Sequence, residues 1–186
     1  MIPYYFDIET YSILNKPDPE NDKIITIQYQ KINLKTGEPI DKLVILKEWK
    51  SSEKDIVTLF YNKFLKIGKD YKNKWKFVPV GFNLNFEWEF IIAKVRKYLG
   101  IKLSSKEIYY DKPRVDLQPI LVLLNGGVFR GARLDKFSNK PPDNKKIKGW
   151  YENKLYHKIE QYIENEAKAF LDLLCKIIKN IHKLLE

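Results

Sequence analysis

PYYFDIETY, residues 3–11, is the stretch on which the fold turns. Side chains alternate across a strand, so Tyr4, Phe6 and Ile8 face one way while Tyr5, Asp7 and Glu9 face the other. One face suits a core. The other carries two neighbouring carboxylates, which repel strongly away from water unless a cation lies between them. KIITIQYQKI (residues 23–32) and KLVILKE (residues 42–48) read as two further strands, a hairpin joined through the turn Thr36-Gly37-Glu38-Pro39.

The hydrophobic period then switches to helical. Ser51 or Ser52, with Asp55 as the acid of a capping box, opens a helix carrying Ile56, Leu59, Phe60, Phe64 and Ile67 on one side. KFVPVGF (residues 76–82) is a further short strand. Asn85 is the predicted cap of the next helix, whose apolar face starts with Phe86, Phe90 and Ile91 and which Gly100 ends. Val115 to Leu124 reads as a short extended piece running into a helix, broken by Asn125-Gly126-Gly127. Residues 138–154 have the composition of a mobile loop, and Leu155 to Leu185 is helical almost throughout. Strands followed by alternating strands and helices predict an α/β fold, a mixed sheet flanked by helices.

The chain has 186 residues and carries 34 Lys plus Arg against 24 Asp plus Glu, a net charge of +10. Only four of the cations are arginines (Arg96, Arg114, Arg130, Arg133). Diffuse lysine charge attracts polyanions without the bidentate geometry that reads a base. With 44% hydrophobic residues the chain is not disordered, and its length suits a single domain over residues 1–186. The single Cys175 lies in an apolar helical run, reads as a packing residue, and leaves no disulfide within the chain. MIPYYFDIET lacks a basic region before its apolar run, and no apolar stretch reaches the ~20 residues a bilayer requires. The expectation is a soluble, cytoplasmic protein.

The last helix carries the most information. At 100° per residue, Leu155, Ile159, Tyr162, Glu166, Phe170, Leu173 and Ile177 fall along one line, which places a carboxylate on the apolar stripe. Tyr162 lies one turn before Glu166 on the same face. Glu160 and Glu164 lie off the stripe and read as solvated acids. Glu87 occupies the first turn of the helix after residues 76–82, with Glu89 as its competitor and Trp88 as a packing residue. Four oxygen donors with few histidines favour Mg²⁺ or Mn²⁺ over zinc.

These residues resemble the DEDD (DnaQ-like) 3′-to-5′ exonucleases, in the tyrosine-bearing branch that includes the proofreading domains of family B DNA polymerases. FDIET (residues 6–10) is similar to the family's Asp-x-Glu motif. VGFNLNFEWEFI (residues 80–91) resembles its second motif, with Gly81, Asn83 and Phe86 in the usual frame and Glu87 where the family normally has Asp. YIENEAKAFLDLL (residues 162–174) resembles the third, with Tyr162 as the family's tyrosine and Glu166 again in place of Asp. An alignment on Tyr156 and Glu160 fails because Glu160 leaves the stripe. VDLQPIL (residues 115–121) and the NGGVFRGARL segment (residues 125–134) resemble the intermediate stretch of exonucleases related to polymerase B.

The resemblance implies a ribonuclease H-like fold, a five-stranded mixed sheet with helices on both sides. It implies two ions, Mg²⁺ or Mn²⁺, held by Asp7, Glu9, Glu87 and Glu166, with Tyr162 orienting the attacking water. It also implies a substrate, the 3′ end of single-stranded or frayed DNA or of RNA, and a nucleoside 5′-monophosphate as product. Each Asp-to-Glu departure moves a carboxylate by about 1.3–1.5 Å, against the ~0.5 Å tolerance of a catalytic constellation. That predicts either a compensating backbone shift or weakened turnover, at the limit an inactive nucleic-acid-binding module.

Asp116 is a candidate for the rim of the metal site or for a capping acid. Phe82, Phe129 and Trp150 are candidate stacking platforms for a terminal base, with Phe82 and Phe129 reading first as core residues. His157 and His182 read as surface residues. Asn83, Arg130, Arg133, Lys145, Lys146 and Lys148 are the expected nucleic-acid contacts, since the basic stretch from Lys136 to Lys158 adjoins the helix that bears Tyr162.

Overall fold

The computed structural model describes residues 1–14, 16–66, 75–140 and 146–183. Five strands form one mixed sheet in the order β3-β2-β1-β4-β5: β1 (Pro3–Tyr11), β2 (Lys23–Lys31), β3 (Val44–Lys47), β4 (Val78–Gly81) and β5 (Val115–Asp116). β1 is central. It runs antiparallel to β2, pairing Asp7 with Gln28 and Glu9 with Thr26, and parallel to β4. The β1–β2 register slips between Glu9 and Thr10, so the irregularity falls just past the second acid, where bulges commonly re-aim side chains.

The alternation of β1 divides the core. Phe6 and Ile8 enter an aromatic cluster with Phe60, Phe64, Phe77 and Trp88, beneath the helices α1 (Glu53–Phe60) and α2 (Leu84–Leu99). Phe6 stacks on Phe60 with ring centroids 5.1 Å apart. On the opposite face Tyr5 packs against Phe170, also at 5.1 Å, beneath α3 (Gln118–Leu124) and the long α6 (Tyr156–Lys183). Each such ring removed from water contributes about 1.5–3 kcal/mol. The expected α6 stripe is observed from Ile159 on, with Ile159, Tyr162, Glu166, Phe170, Leu173 and Ile177 all buried, whereas Leu155 precedes the helix and is half-buried.

Two glycines admit close approaches. At Gly37 (φ +81°) a Cβ would lie 2.9 Å from the Cys175 sulfur, so the β2–β3 turn rests on α6 and Cys175 is half-buried there. A Cβ on Gly81 would lie 2.8 Å from the Phe6 carbonyl oxygen. That contact keeps β4 tight against β1 where the acids emerge.

Several local expectations need correction. Leu59 is exposed, because the buried line of α1 runs through Ile56, Val57 and Phe60 and leaves Leu59 about 110° from its centre. Ser52 is the cap, its hydroxyl accepting from the Asp55 amide at 3.1 Å. Ile67 lies outside the described residues. The 76–82 strand is shorter, Val78–Gly81, because Asn83 adopts a left-handed conformation (φ +59°) and starts α2 at Leu84 rather than after Asn85. Within the expected loop 138–154, Ile147–Glu152 forms a helix, α5, because Ile147, Trp150 and Tyr151 recur at helical spacing and pack against the sheet. A four-residue helix, α4 (Leu134–Phe137), precedes that segment. Residues 141–145, with Lys145, lie outside the described residues. Among the described residues no helix is long and apolar enough to cross a membrane.

Candidate metal centre

β1 sends Asp7 and Glu9 out on the face that α6 covers, and Glu166 descends from α6 to meet them. One carboxylate oxygen from each of the three lies within 4.8 Å of the other two. Glu87, in the first turn of α2, is 4% exposed and flanks Asp7. Its Oε2 is buried with no hydrogen-bond partner among the described residues. The four acids line one cleft of about 310 Å³, walled by Phe82, Asn83, Phe86, Leu134 and Phe170.

Asp7 is aimed from several sides. Its Oδ1 accepts from the Ile8 amide at 3.0 Å, and its Oδ2 from the Tyr5 hydroxyl and the Gln28 amide, both at 3.3 Å. The Gln28 amide oxygen accepts in turn from the Thr26 hydroxyl at 3.0 Å. These donors hold the carboxylate but do not offset its burial. Desolvation first, then the Glu166 charge, push the Asp7 carboxyl up to about 7. Glu9 is pushed well above the ordinary carboxylate range by burial, Glu166 and Asp7, and Glu87 by burial and then Asp7. Burial, followed by the charges of Glu9 and Glu166, keeps the Tyr162 phenol protonated throughout the physiological range.

Such a cluster is unfavourable without positive charge among its oxygens. The donor set fits hard divalent cations such as Mg²⁺ or Mn²⁺, since it is all oxygen and leaves one buried carboxylate oxygen short of a partner. One cation is supplied by the chain itself: the Lys140 ammonium donates to Glu166 Oε1 and lies 5.9 Å from the Tyr162 ring centroid.

Asp116 turns out to be a cap rather than part of the cluster. From β5 it accepts the amides of Asn83 and Leu84 at 2.8 and 2.9 Å, occupying the free N–H groups at the start of α2. Asn85 plays no capping part and accepts from the Arg114 guanidinium at 2.9 Å. The sheet thereby fixes the first turn of α2, and with it Glu87.

Of the expected nucleic-acid contacts, Phe82 and Asn83 line the cleft. Arg130 is exposed, and Arg133 is exposed with its Nε bonded to Asp135 at 2.9 Å. Lys148 donates to the Ile13 carbonyl at 2.8 Å. Lys146 lies at the start of α5. Phe129 is 74% exposed instead of packed, because residues 128–130 follow the chain-breaking Gly126-Gly127 turn and leave the core. Trp150 packs near Tyr162, ring centroids 6.4 Å apart. Glu164 and His157 are exposed as expected, Glu89, the competitor of Glu87, is exposed and does not line the cleft, and Glu160 is half-buried rather than solvated, paired with Lys47 at 2.7 Å. Sequence reasoning places Tyr5 on the face of Asp7 and Glu9 without a role at the site, and it misses Gln28 and Lys140. Gln28 carried a signal, being a polar residue within an apolar strand, whereas Lys140 is one lysine of many.

No protein-family model matches the chain. A stretch of 100 residues, 53% of the chain, is 34% identical to DNA polymerase 2 of Aeropyrum pernix and covers 11% of that protein. The family B DNA polymerase from the hyperthermophilic archaeon Pyrobaculum calidifontis matches 95% of this chain with a TM-score of 0.60 at 16% identity, over 24% of its own length. Exonuclease I in complex with the inhibitor BCBP matches 73% of this chain with a TM-score of 0.52 at 12% identity, over 35% of its own length. The chain therefore spans about a tenth of the matched polymerase sequence, and a quarter to a third of the matched structures. The sheet order and flanking helices are those of a ribonuclease H-like fold, which the chain shares with the matched exonuclease I and family B DNA polymerase structures.

Proposed function

We propose that the protein is a divalent-metal-dependent 3′-to-5′ exonuclease acting on single-stranded or frayed DNA, with RNA as the other candidate substrate. The observation that carries this reading is the convergence of Asp7, Glu9 and Glu166 within 4.8 Å, with Glu87 buried beside Asp7. Those carboxylates would hold two Mg²⁺ or Mn²⁺ ions, which when bound activate water and offset charge on the phosphate and the leaving oxygen.

The chain's own groups supply the rest. Thr26 and Gln28 fix the rotamer of Asp7, and the Asp116 cap fixes the turn that bears Glu87. Tyr162, held protonated by burial and neighbouring acids, acts as a hydrogen-bond donor that orients water rather than as a base. Hydrolysis breaks the P–O3′ bond. Hydroxide from the water joins phosphorus and its proton ends on the departing O3′, releasing a nucleoside 5′-monophosphate. Phe82 offers a ring to the terminal base from the cleft wall, while Arg130, Arg133 and the lysines near α5 gather the phosphate backbone.

A second reading, a nucleic-acid-binding module that no longer turns over, is favoured by the glutamates at positions 87 and 166 and by the pairing of Glu166 with Lys140. Incubation with 3′- and 5′-labelled single strands plus Mg²⁺ or Mn²⁺ separates the two. Stepwise loss from the 3′ end that disappears in Asp7→Asn supports the exonuclease, and a metal-independent gel shift without cleavage supports the binder.

A further inference from the structure

Lys140 reaches the acidic cluster from a braced turn. Its amide donates to the Ser138 hydroxyl at 3.2 Å, and that hydroxyl donates to the Leu134 carbonyl at 2.8 Å, while Leu134 is 4% exposed and lines the cleft. The backbone at Lys140 is thus anchored to the cleft wall, and the side chain, 18% exposed, extends inward to a Glu166 side chain that is 8% exposed. Glu166 Oε1 accepts from this ammonium, and Asp7 and Glu9 are near enough for their charges to act on it.

The ammonium occupies one of the two oxygens that Glu166 can offer an ion and repels a divalent cation bound at the same carboxylate. Four ionised carboxylates balance two divalent ions without a fifth positive charge. We propose that Lys140 is an internal counter-cation that competes with one of the two ions for Glu166, lowering the affinity of that position for metal and holding the acidic cluster together until metal enters. This inference rests on the exonuclease reading of the same cleft. It makes Lys140 a positioning residue for Glu166.

The test is direct Mn²⁺ binding by the full chain, followed by titration calorimetry and by the paramagnetic resonance signal of free Mn²⁺. Lys140→Gln is expected to bind one of the two ions about tenfold more tightly than wild type, and Lys140→Arg, which keeps the charge, to stay within about threefold of it. In EDTA, Lys140→Gln should melt several degrees lower than wild type, with Mn²⁺ closing the gap. Equal or weaker Mn²⁺ binding by a folded Lys140→Gln protein overturns the competition, as does an Arg variant that behaves like Gln. Wild-type protein that binds no Mn²⁺ overturns the metal-centre reading itself, and competition with it. Two ions bound with equal affinity in wild type and Lys140→Gln remove only the competition.

Discussion

Glu53 and Glu87 are both glutamates in the first turn of a helix packed on the same face of the sheet, 6% and 4% exposed, yet they are held in opposite ways. Glu53 spends its acceptors. Oε1 accepts from the Ile24 amide at 2.8 Å, Oε2 from the Tyr98 hydroxyl at 2.6 Å, and the fully buried Lys94 ammonium stands 3.8 Å away. One acid thereby ties β2, α1 and α2 together. Glu87 has a buried oxygen without a donor and faces Asp7, another carboxylate. Burying a charge is tolerated where hydrogen bonds and a counter-charge answer it. Among the described residues, Glu53 is answered internally and Glu87 is left short, the contrast on which the proposed metal role of Glu87 rests.

The contrast can be broken most sharply at Asp7. Asp7→Asn should cut 3′-end hydrolysis by about 10³-fold, while raising metal-free stability by about 1–2 kcal/mol as one repelling charge leaves the cluster. Both effects are readable, by nuclease assay and by denaturant unfolding in EDTA. A loss of stability would mean that the cluster is structural, like Glu53. Glu53→Gln should do the reverse. Leaving Lys94 without its counter-charge should cost about 3 kcal/mol, while hydrolysis per folded molecule stays at the wild-type rate. Reduced turnover in folded Glu53→Gln protein would erase the division between the two acids.

Acid–base behaviour sharpens the same comparison. Asp7 is pushed up to about 7 and Glu9 and Glu87 above the ordinary range, so the folded chain retains protons that the unfolded chain releases near pH 4. The folded state binds more protons above pH 4, so metal-free stability from these acids is greatest below about pH 4 and declines as pH rises, for Asp7 until about pH 7. Unfolding in EDTA at several pH values should show a decline of about 2 kcal/mol that is shallower in Asp7→Asn and cancelled by Mn²⁺ at neutral pH. A slope identical in the two proteins would refute it. The smallest effect is expected at Asp116→Ala. Losing this cap should cost about 1 kcal/mol and lower hydrolysis by about tenfold as Glu87 loses its fixed turn, and an unchanged rate would show that α2 is positioned by packing alone.

Much of this was open to reading in the sequence because the two decisive patterns are local. The alternation in residues 4–9 places Asp7 and Glu9 on one face of β1, and the helical period from Leu155 to Ile177 carries Glu166 onto a buried stripe; both are found so. Other features depend on residues far apart in the chain. Asp116 reads first as a strand-end or capping acid and second as a metal-rim acid, and only the pairing of β4 with β5 brings it to the α2 amides. Leu59 and Phe129 are apolar residues left outside because the burial direction of a helix and the exit of a turn depend on what packs against them. Trp150 and Tyr151 sit in a helix inside a stretch whose lysines and prolines suggested a loop, because their rings find the sheet.

Composition and periodicity set the strands, the helices, the +10 charge and the faces on which acids stand, since each follows from residue type and the geometry of a single element. The distances do not. Whether Glu87 and Glu166, each one methylene longer than an aspartate, still meet Asp7 and Glu9 depends on how α2 and α6 cross β1, and that is set by the Gly81 approach, the Asp116 cap and the Phe170 packing. The same crossing selects Lys140, among the described residues, as the lysine whose ammonium enters the cleft at Glu166.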